Sequence, residues 1–595
     1  MGYKPYYYFN HNSSFGTEDE LRSMIKTFKN NGIGTIADVV INHRNTEGWF
    51  TFPAETYNGV TYQMLPTDIC KNDDGGKTLT QANKENVNLS NNYDEGDDFG
   101  DCRDLDHKSA NVQKVVKAYL KFLKEDLGYE GFRYDMVKGF NASHVGDYNT
   151  ATGIQFSVGE YWDGVGNIKN WINNTGKKSG AFDFQFHYNM TNAIKYNDWR
   201  KLNDASLMSE STYRQYAVTF VENHDIQERE DKSNEGSKDP IPTTYIPAAN
   251  AFLIAMPGTP CIFQPHWKAY EHELKSMIEA RKLVGITNTS SYSNYISNKQ
   301  YFANAVNGTN GRKLLVVVGI PSMMTTTSKT EYTCILSGKN YMYYLSNNSE
   351  TAWADKASGE YEEGFKVALT AVSKNTAAKL VYTTNGSDPT ASSTQATSGT
   401  SINISSSCTL KVGLLINGTV SGIRTYNYSI KRFEPYNITV YVNTDDTGWK
   451  KVNFHFWSNM TGVETVWPGV NITQTKMIDN KNWYYKEFTI TQKDGLVNFV
   501  FCEPNATGTG AKTQSLDITG VNSTTFIKVG PNKEKGMYVV KNVTKEVNTG
   551  IDQPITENTG KNVNNAWYTL SGMKMNQKPN QAGIYIHHGK KVVIK

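Results

Sequence analysis

The stretch Gly131-Phe-Arg-Tyr-Asp-Met-Val-Lys-Gly139 decides how this 595-residue chain is read. Its residues alternate: Phe132, Tyr134 and Met136 fall on one face of an extended segment, Arg133, Asp135 and Val137 on the other. An arginine and a carboxylate two residues apart on one strand face have two readings. They are a structural ion pair, or a site whose cation favours the charged carboxylate that a nucleophile needs. Three other stretches favour the site: Ala37-Asp-Val-Val-Ile-Asn-His43, Ser157-Val-Gly-Glu-Tyr-Trp162 and Thr219-Phe-Val-Glu-Asn-His-Asp225. Each is a short, largely apolar run that meets polar or acidic side chains near its end. In a parallel α/β barrel the carboxyl ends of the strands converge on one mouth, and that mouth holds the site. The runs therefore predict His43, Asp135, Glu160, His224 and Asp225 around one rim.

In order and spacing these four runs resemble the signature segments of the α-amylase family, glycoside hydrolase family 13, in its plant-type form. The resemblance extends from about Gly2 to about Ile286, and Gly258-Thr-Pro-Cys-Ile-Phe263 fits it too. Four ordered segments make a chance match far less credible than any single motif. The resemblance implies a (β/α)8 TIM barrel over residues 1–286, including a loop domain B at 44–107, followed by all-β domains. It implies retaining endo-hydrolysis of α-1,4-glucosidic bonds in starch and related α-glucans. Asp135 would be the nucleophile, Glu160 the general acid/base, and Asp225 a third acid that holds sugar hydroxyls and distorts the ring. His43 and His224 would bond hydroxyls of the same sugar, Tyr8 would stack on its ring, Arg133 would attend Asp135, and Lys138 would reach the leaving-group side. The segment Gly2-Tyr-Lys-Pro5 resembles the stretch just after the family's second strand, so the first strand, first helix and second strand are expected to be missing. Met1–Pro5 has neither the charged nor the apolar region of a signal peptide. Two alternatives remain: a starch-binding protein without turnover, should an incomplete barrel fail to close, and a transglycosylase on the same residues.

Residues 44–107 are polar, rich in Gly and Asn, and acidic over Asp94–Asp106. Calcium takes about six to eight oxygen ligands. By resemblance, Asn42, Asp94 and Asp104 would be side-chain ligands of a calcium ion, with Asp97 and Gly139 giving backbone oxygens. Upstream, Thr17 and Glu20 form a capping-box pattern ahead of Leu21, Met24, Ile25 and Phe28 at helical spacing.

Beyond the barrel the chain becomes β-rich. Residues 287–350 are expected to form an antiparallel domain C. Residues 351–432 resemble the β-sandwich appended to chitobiases, with a spacer role. Residues 433–545 resemble carbohydrate-binding module family 26. There Trp457 and Trp467 would be platforms for an α-glucan and His455 a polar partner, while Trp483 reads as core. A linker is expected at 546–565. The segment 566–595 resembles a C-terminal sorting domain, which implies a secreted or cell-surface bacterial protein. Net charge is only +3, from 61 Lys and Arg against 58 Asp and Glu, and no basic block suggests nucleic acid. No apolar run is long enough to span a membrane. The six cysteines include no CxxC pair, which speaks against zinc; Cys70 with Cys102 remains open as a bridge. The expected partner is starch, bound by a monomer.

Overall fold

The runs Ile36–Val39 (β1), Gly131–Tyr134 (β2), Phe156–Gly159 (β3), Gly180–Phe182 (β4), Ala217–Thr219 (β5) and Thr259–Pro260 (β6) pair in this order, all parallel, in the computed structural model. It describes residues 2–13, 15–227, 240–323, 331–544 and 546–547, and four short strands between Trp567 and Ile594. Parallel strands need a crossover each. The helices Ala110–Lys121, Ala142–Thr152, Val165–Asn174, Phe184–Lys195, Ile246–Ala255 and Gln264–Val284 lie between and after them. A closed barrel of this type has eight strands. Six are present among the described residues, and β1 and β6 are the sheet's edges.

Local sequence explains the elements. Helix α1, Glu18–Asn30, starts at Thr17, whose hydroxyl accepts from the Glu20 backbone while the Glu20 carboxylate accepts from the Thr17 backbone. Of its apolar positions Ile25 is buried, but Met24 and Phe28 are exposed. On β2 the alternation gives Phe132 and Tyr134 to the core and Arg133 to the mouth. The strand ends because Met136 adopts φ +45°, a left-handed backbone that is costly for a side chain with Cβ.

Five strands between Tyr292–Ser297 and Tyr341–Ser346 form an antiparallel sheet. Residues 351–430 form a second β unit of two sheets. This unit is seated on the helix Gln264–Val284. Arg424 reaches Glu279 at 2.9 Å, Ser276 Oγ donates to the Asp355 carbonyl, and the His272 ring stacks on Tyr361 at 4.0 Å. All of this belongs to one compact unit, Met1–Arg432. The second unit, Phe433–Lys595, contains a two-sheet β fold with a core that includes Val440, Phe454, Phe499 and Ile527. Most of the expected linker lies outside the described residues. Cys70 and Cys102 are free and buried.

Candidate active site

Arg133 organises the mouth of the sheet. Its Nη1 donates to Asp135 Oδ1 at 2.7 Å and to Asp38 Oδ1 at 2.8 Å, and its Nη2 lies 2.8 Å from Glu160 Oε2. One guanidinium thus gathers acids from the ends of β1, β2 and β3. These residues must meet because β1, β2 and β3 run parallel in register, with Asp38 opposite Arg133 and Arg133 opposite Val158. The left-handed turn at Met136 aims its N–H at Glu160 Oε2, 3.3 Å away.

Glu160 and Asp135 have different surroundings. Burial pushes the Glu160 carboxyl up to about 7, reinforced by Asp135 and Asp225, while Arg133 and the Met136 N–H act the other way. A carboxyl in that range holds a proton near neutrality and can donate it. Asp135, only 8% exposed, is ion-paired to Arg133.

The other rim is carried beyond β5. Asn223 Oδ1 accepts from the Asp225 and Ile226 backbones and shapes the turn that presents His224 and Asp225. His224 Nε2 is 3.4 Å from Asp225 Oδ2. A cavity of about 470 Å³ opens beside these groups. Its walls include Ile36, Phe156, Val158, Phe182, Val218 and Phe220, and its polar side Tyr3, Asp38, Arg133, Glu160, Glu222 and His224.

Two sequence expectations are corrected here. Tyr8 is fully buried: its ring stacks on Tyr119 at 4.3 Å and lies under the Arg44 guanidinium. The tyrosine in the pocket lining is Tyr3, parallel to His224 and bonded through its hydroxyl to Asp38 Oδ2 at 2.7 Å. His43 is also sealed off from the cavity. Its Nε2 is 2.9 Å from the Tyr3 carbonyl and its ring stacks on Phe99 at 3.8 Å. Lys138 is not among the lining residues; its Nζ is 3.3 Å from Asp163 and 3.6 Å from Asp97.

The acids of the loop domain converge as well. Asn42 Nδ2 donates to Asp104 Oδ1 at 3.2 Å, and the Asp97 N–H donates to the Lys138 carbonyl. Gly139 lies so close that a Cβ there would meet Asn42 Oδ1 at 2.0 Å. Carboxylate oxygens of Asp73, Asp98 and Asp104 come within 4.8 Å of one another. Asp94 Oδ2 is buried without a hydrogen-bond partner. Burial pushes Asp94 up to about 6 and, with Asp94 and Asp73 adding to it, Asp104 to about 10. Buried, mutually repelling carboxylates with an orphaned oxygen fit a cation held by oxygen ligands. Sequence reading gave Asp73 no role, since nothing local ties it to Asp104 thirty-one positions on.

Residues 1–272 match the family model described as "Alpha amylase, catalytic domain". Over these residues the chain is similar to the α-amylase catalytic domain. The α-amylase match ends within the last barrel helix, and residues 356–423 match a different description, "Chitobiase/beta-hexosaminidase C-terminal domain". Among curated α-amylases, "Probable alpha-amylase 2" of Arabidopsis thaliana is 28% identical over 363 residues, 57% of this chain and 81% of that protein. "Alpha-amylase 3, chloroplastic" of the same plant is 29% identical over 299 residues, 47% of this chain and 32% of that protein. The chain thus spans most of the first relative but about a third of the second. A solved α-amylase from Malbranchea cinnamomea aligns with a TM-score of 0.41 at 15% identity, covering 72% of this chain and 81% of that one.

In the second compact unit His455, Trp457 and Trp467 come together. The His455 ring is 5.7 Å from Trp457 and 5.2 Å, edge-on, from Trp467. Its Nδ1 is 3.0 Å from Thr465 Oγ1. Trp467 is exposed, whereas Trp483 is buried against Phe526.

Proposed function

We propose that this chain hydrolyses α-1,4-glucosidic bonds within starch and related α-glucans, with retention of configuration. The observation that carries the reading is the single guanidinium of Arg133 between Asp135 and Glu160, two carboxyls in contrasting environments. Asp135 attacks the anomeric carbon. Glu160 gives its proton to the glycosidic oxygen as that bond breaks, then takes one from the water that releases the sugar from Asp135. Asp225 and His224 hold hydroxyls of the reacting sugar, and Tyr3 offers a ring for its face. Lys138 faces the leaving-group side.

Asn42, Asp94 and Asp104, with backbone oxygens of Asp97 and Gly139 and with Asp98 and Asp73 nearby, would hold calcium. The ion would supply positive charge that ties the loop domain to the end of β2. Trp457, Trp467 and His455 would form a starch-binding face on the second unit, and the C-terminal segment would direct export to the cell surface or beyond.

Reducing-sugar release from soluble starch, with and without calcium, tests the activity; no release under either condition overturns it. Two further results are expected. Because Glu160 must carry its proton to act, kcat/KM should fall as pH rises through about 7. A basic limb lying wholly below 5.5 or above 8.5 would remove Glu160 as the acid. Replacing Trp457 and Trp467 together by Ala should weaken adsorption to starch granules roughly tenfold or more, about 1.4 kcal/mol. Turnover of soluble starch should stay as it was. Unchanged adsorption would place granule binding elsewhere.

A further inference from the structure

Glu222 lines the cavity but has no part in the chemistry above, and it is 7% exposed. Its carboxylate is held from two directions. Oε1 accepts from the Ile241 backbone N–H at 2.9 Å, and Oε2 lies 2.6 Å from His266 Nε2. His266 is in the first turn of the helix Gln264–Val284 and is 3% exposed. Behind it stands Asn250, fully buried in the helix Ile246–Ala255.

Asn250 settles which way the protons run. Its Nδ2 donates to the Ile246 carbonyl one turn back, at 2.9 Å, and this fixes the orientation of the amide. The other Nδ2 hydrogen faces His266 Nδ1 at 3.1 Å. His266 Nδ1 is therefore an acceptor, and the ring proton sits on Nε2, where it donates to Glu222. A chain of bonds runs from a helix carbonyl through an amide and an imidazole to one carboxylate.

That carboxylate is two residues before His224 and three before Asp225. It also accepts from the backbone N–H of Ile241. We propose that Glu222 and His266 are positioning residues. They staple the backbone at Glu222 and at Ile241 to the last barrel helix, and so set where His224 and Asp225, just beyond Glu222, meet the sugar. The proposal rests on the starch-hydrolysing reading for its consequence, but the staple itself is measurable without it.

The test uses the full chain with His266→Leu, His266→Gln and Glu222→Gln. Leucine removes the donor. Glutamine restores an N–H near the Nε2 position. Glu222→Gln leaves a single acceptor oxygen for two fixed donors, the Ile241 N–H and the His266 Nε2–H, so one of them must face an amide N–H. His266→Leu and Glu222→Gln should lower kcat on soluble starch roughly ten- to hundredfold, with KM changed less than about threefold, because contacts made by Asp225 count most in the distorted transition state. His266→Gln should stay within about threefold of the parent. Hydrogen exchange should quicken in peptides spanning 220–226 and 241–250 and not across β1 to β3. Should His266→Leu not fold, the contrast between His266→Gln and Glu222→Gln decides. Parent-like kcat and exchange in His266→Leu or Glu222→Gln overturns the proposal, and so does failure of His266→Gln alongside them. If the parent chain has no turnover, the activity reading fails, and the exchange contrast alone upholds or overturns the staple.

Discussion

Asp135→Asn is expected to reduce starch hydrolysis by roughly four to six orders of magnitude while leaving starch binding intact. The amide is nearly isosteric with the carboxylate, so the turn beyond β2 has no steric reason to move. Arg133 keeps Asp38 and Glu160 as partners at 2.8 Å each, and the guanidinium is not left without an acceptor. What is lost is the oxygen nucleophile on the anomeric carbon and one of the charges that raise Glu160. Binding should survive because the Trp457 and Trp467 face belongs to the separate compact unit Phe433–Lys595. The measurement is kcat on soluble starch beside adsorption to granules. Turnover above about 1% of the parent would show that another group attacks, and Asp38, bonded to the same arginine, would be the first candidate.

The meeting of Asp135 and Glu160 was legible because a parallel barrel turns sequence order into spatial convergence. A reader needs only apolar runs that end in acids. Asp135 and Glu160 end two such runs, and one arginine now joins them. Asp38 escaped because it lies inside its run, and alternation alone does not show that it pairs with Arg133 on the adjacent strand. The aromatic partner was harder still. The segment Tyr3–Tyr8 offers four tyrosines, and local pattern gives no reason to prefer one. The choice is made by tertiary packing. Arg44, paired with Glu55 at 2.6 Å in a buried setting, draws Tyr8 beneath its guanidinium, and the Tyr8 and Phe9 backbones donate to the same Glu55. Tyr3 is left to face His224. Asp73 follows the same logic: Arg103, next to Asp104, binds it at 2.6 Å, and that contact is invisible along the chain. The parallel order of β1 to β3 was legible from the order of the runs along the chain. The seating of residues 351–430 on the last barrel helix was not, since Arg424–Glu279 and His272–Tyr361 join positions far apart in sequence.

Removing calcium is expected to lower the melting temperature by something of the order of 10 °C, and by more at pH 8 than at pH 5. A ligand at about a thousand times its Kd stabilises a fold by about 4 kcal/mol. Each kcal/mol moves the melting temperature of a domain this large by about 2–4 °C. The pH dependence comes from the sign of the shifts. Burial raises Asp94 to about 6 and Asp104 to about 10, while an unfolded aspartate titrates near 4. Without metal, the folded chain binds those protons more tightly than the unfolded chain does. The contribution of these two groups to stability is therefore greatest at low pH and falls as pH rises from about 4 through 6 and on toward 10. The cation needs the same carboxylates deprotonated, so its affinity rises over that range. The two trends diverge, and the difference between calcium-loaded and chelator-treated protein must widen with pH. Asp104→Asn removes the acid at the centre of the cluster. It should abolish the calcium-dependent shift and remove the cost of keeping this buried acid protonated in the metal-free protein, which should then melt higher at pH 8 than the metal-free parent. Asp101→Asn, an exposed acid paired with Lys4, should change neither. A calcium shift that persists in Asp104→Asn would move the ion away from these residues, and equal melting with and without calcium at both pH values would remove it altogether.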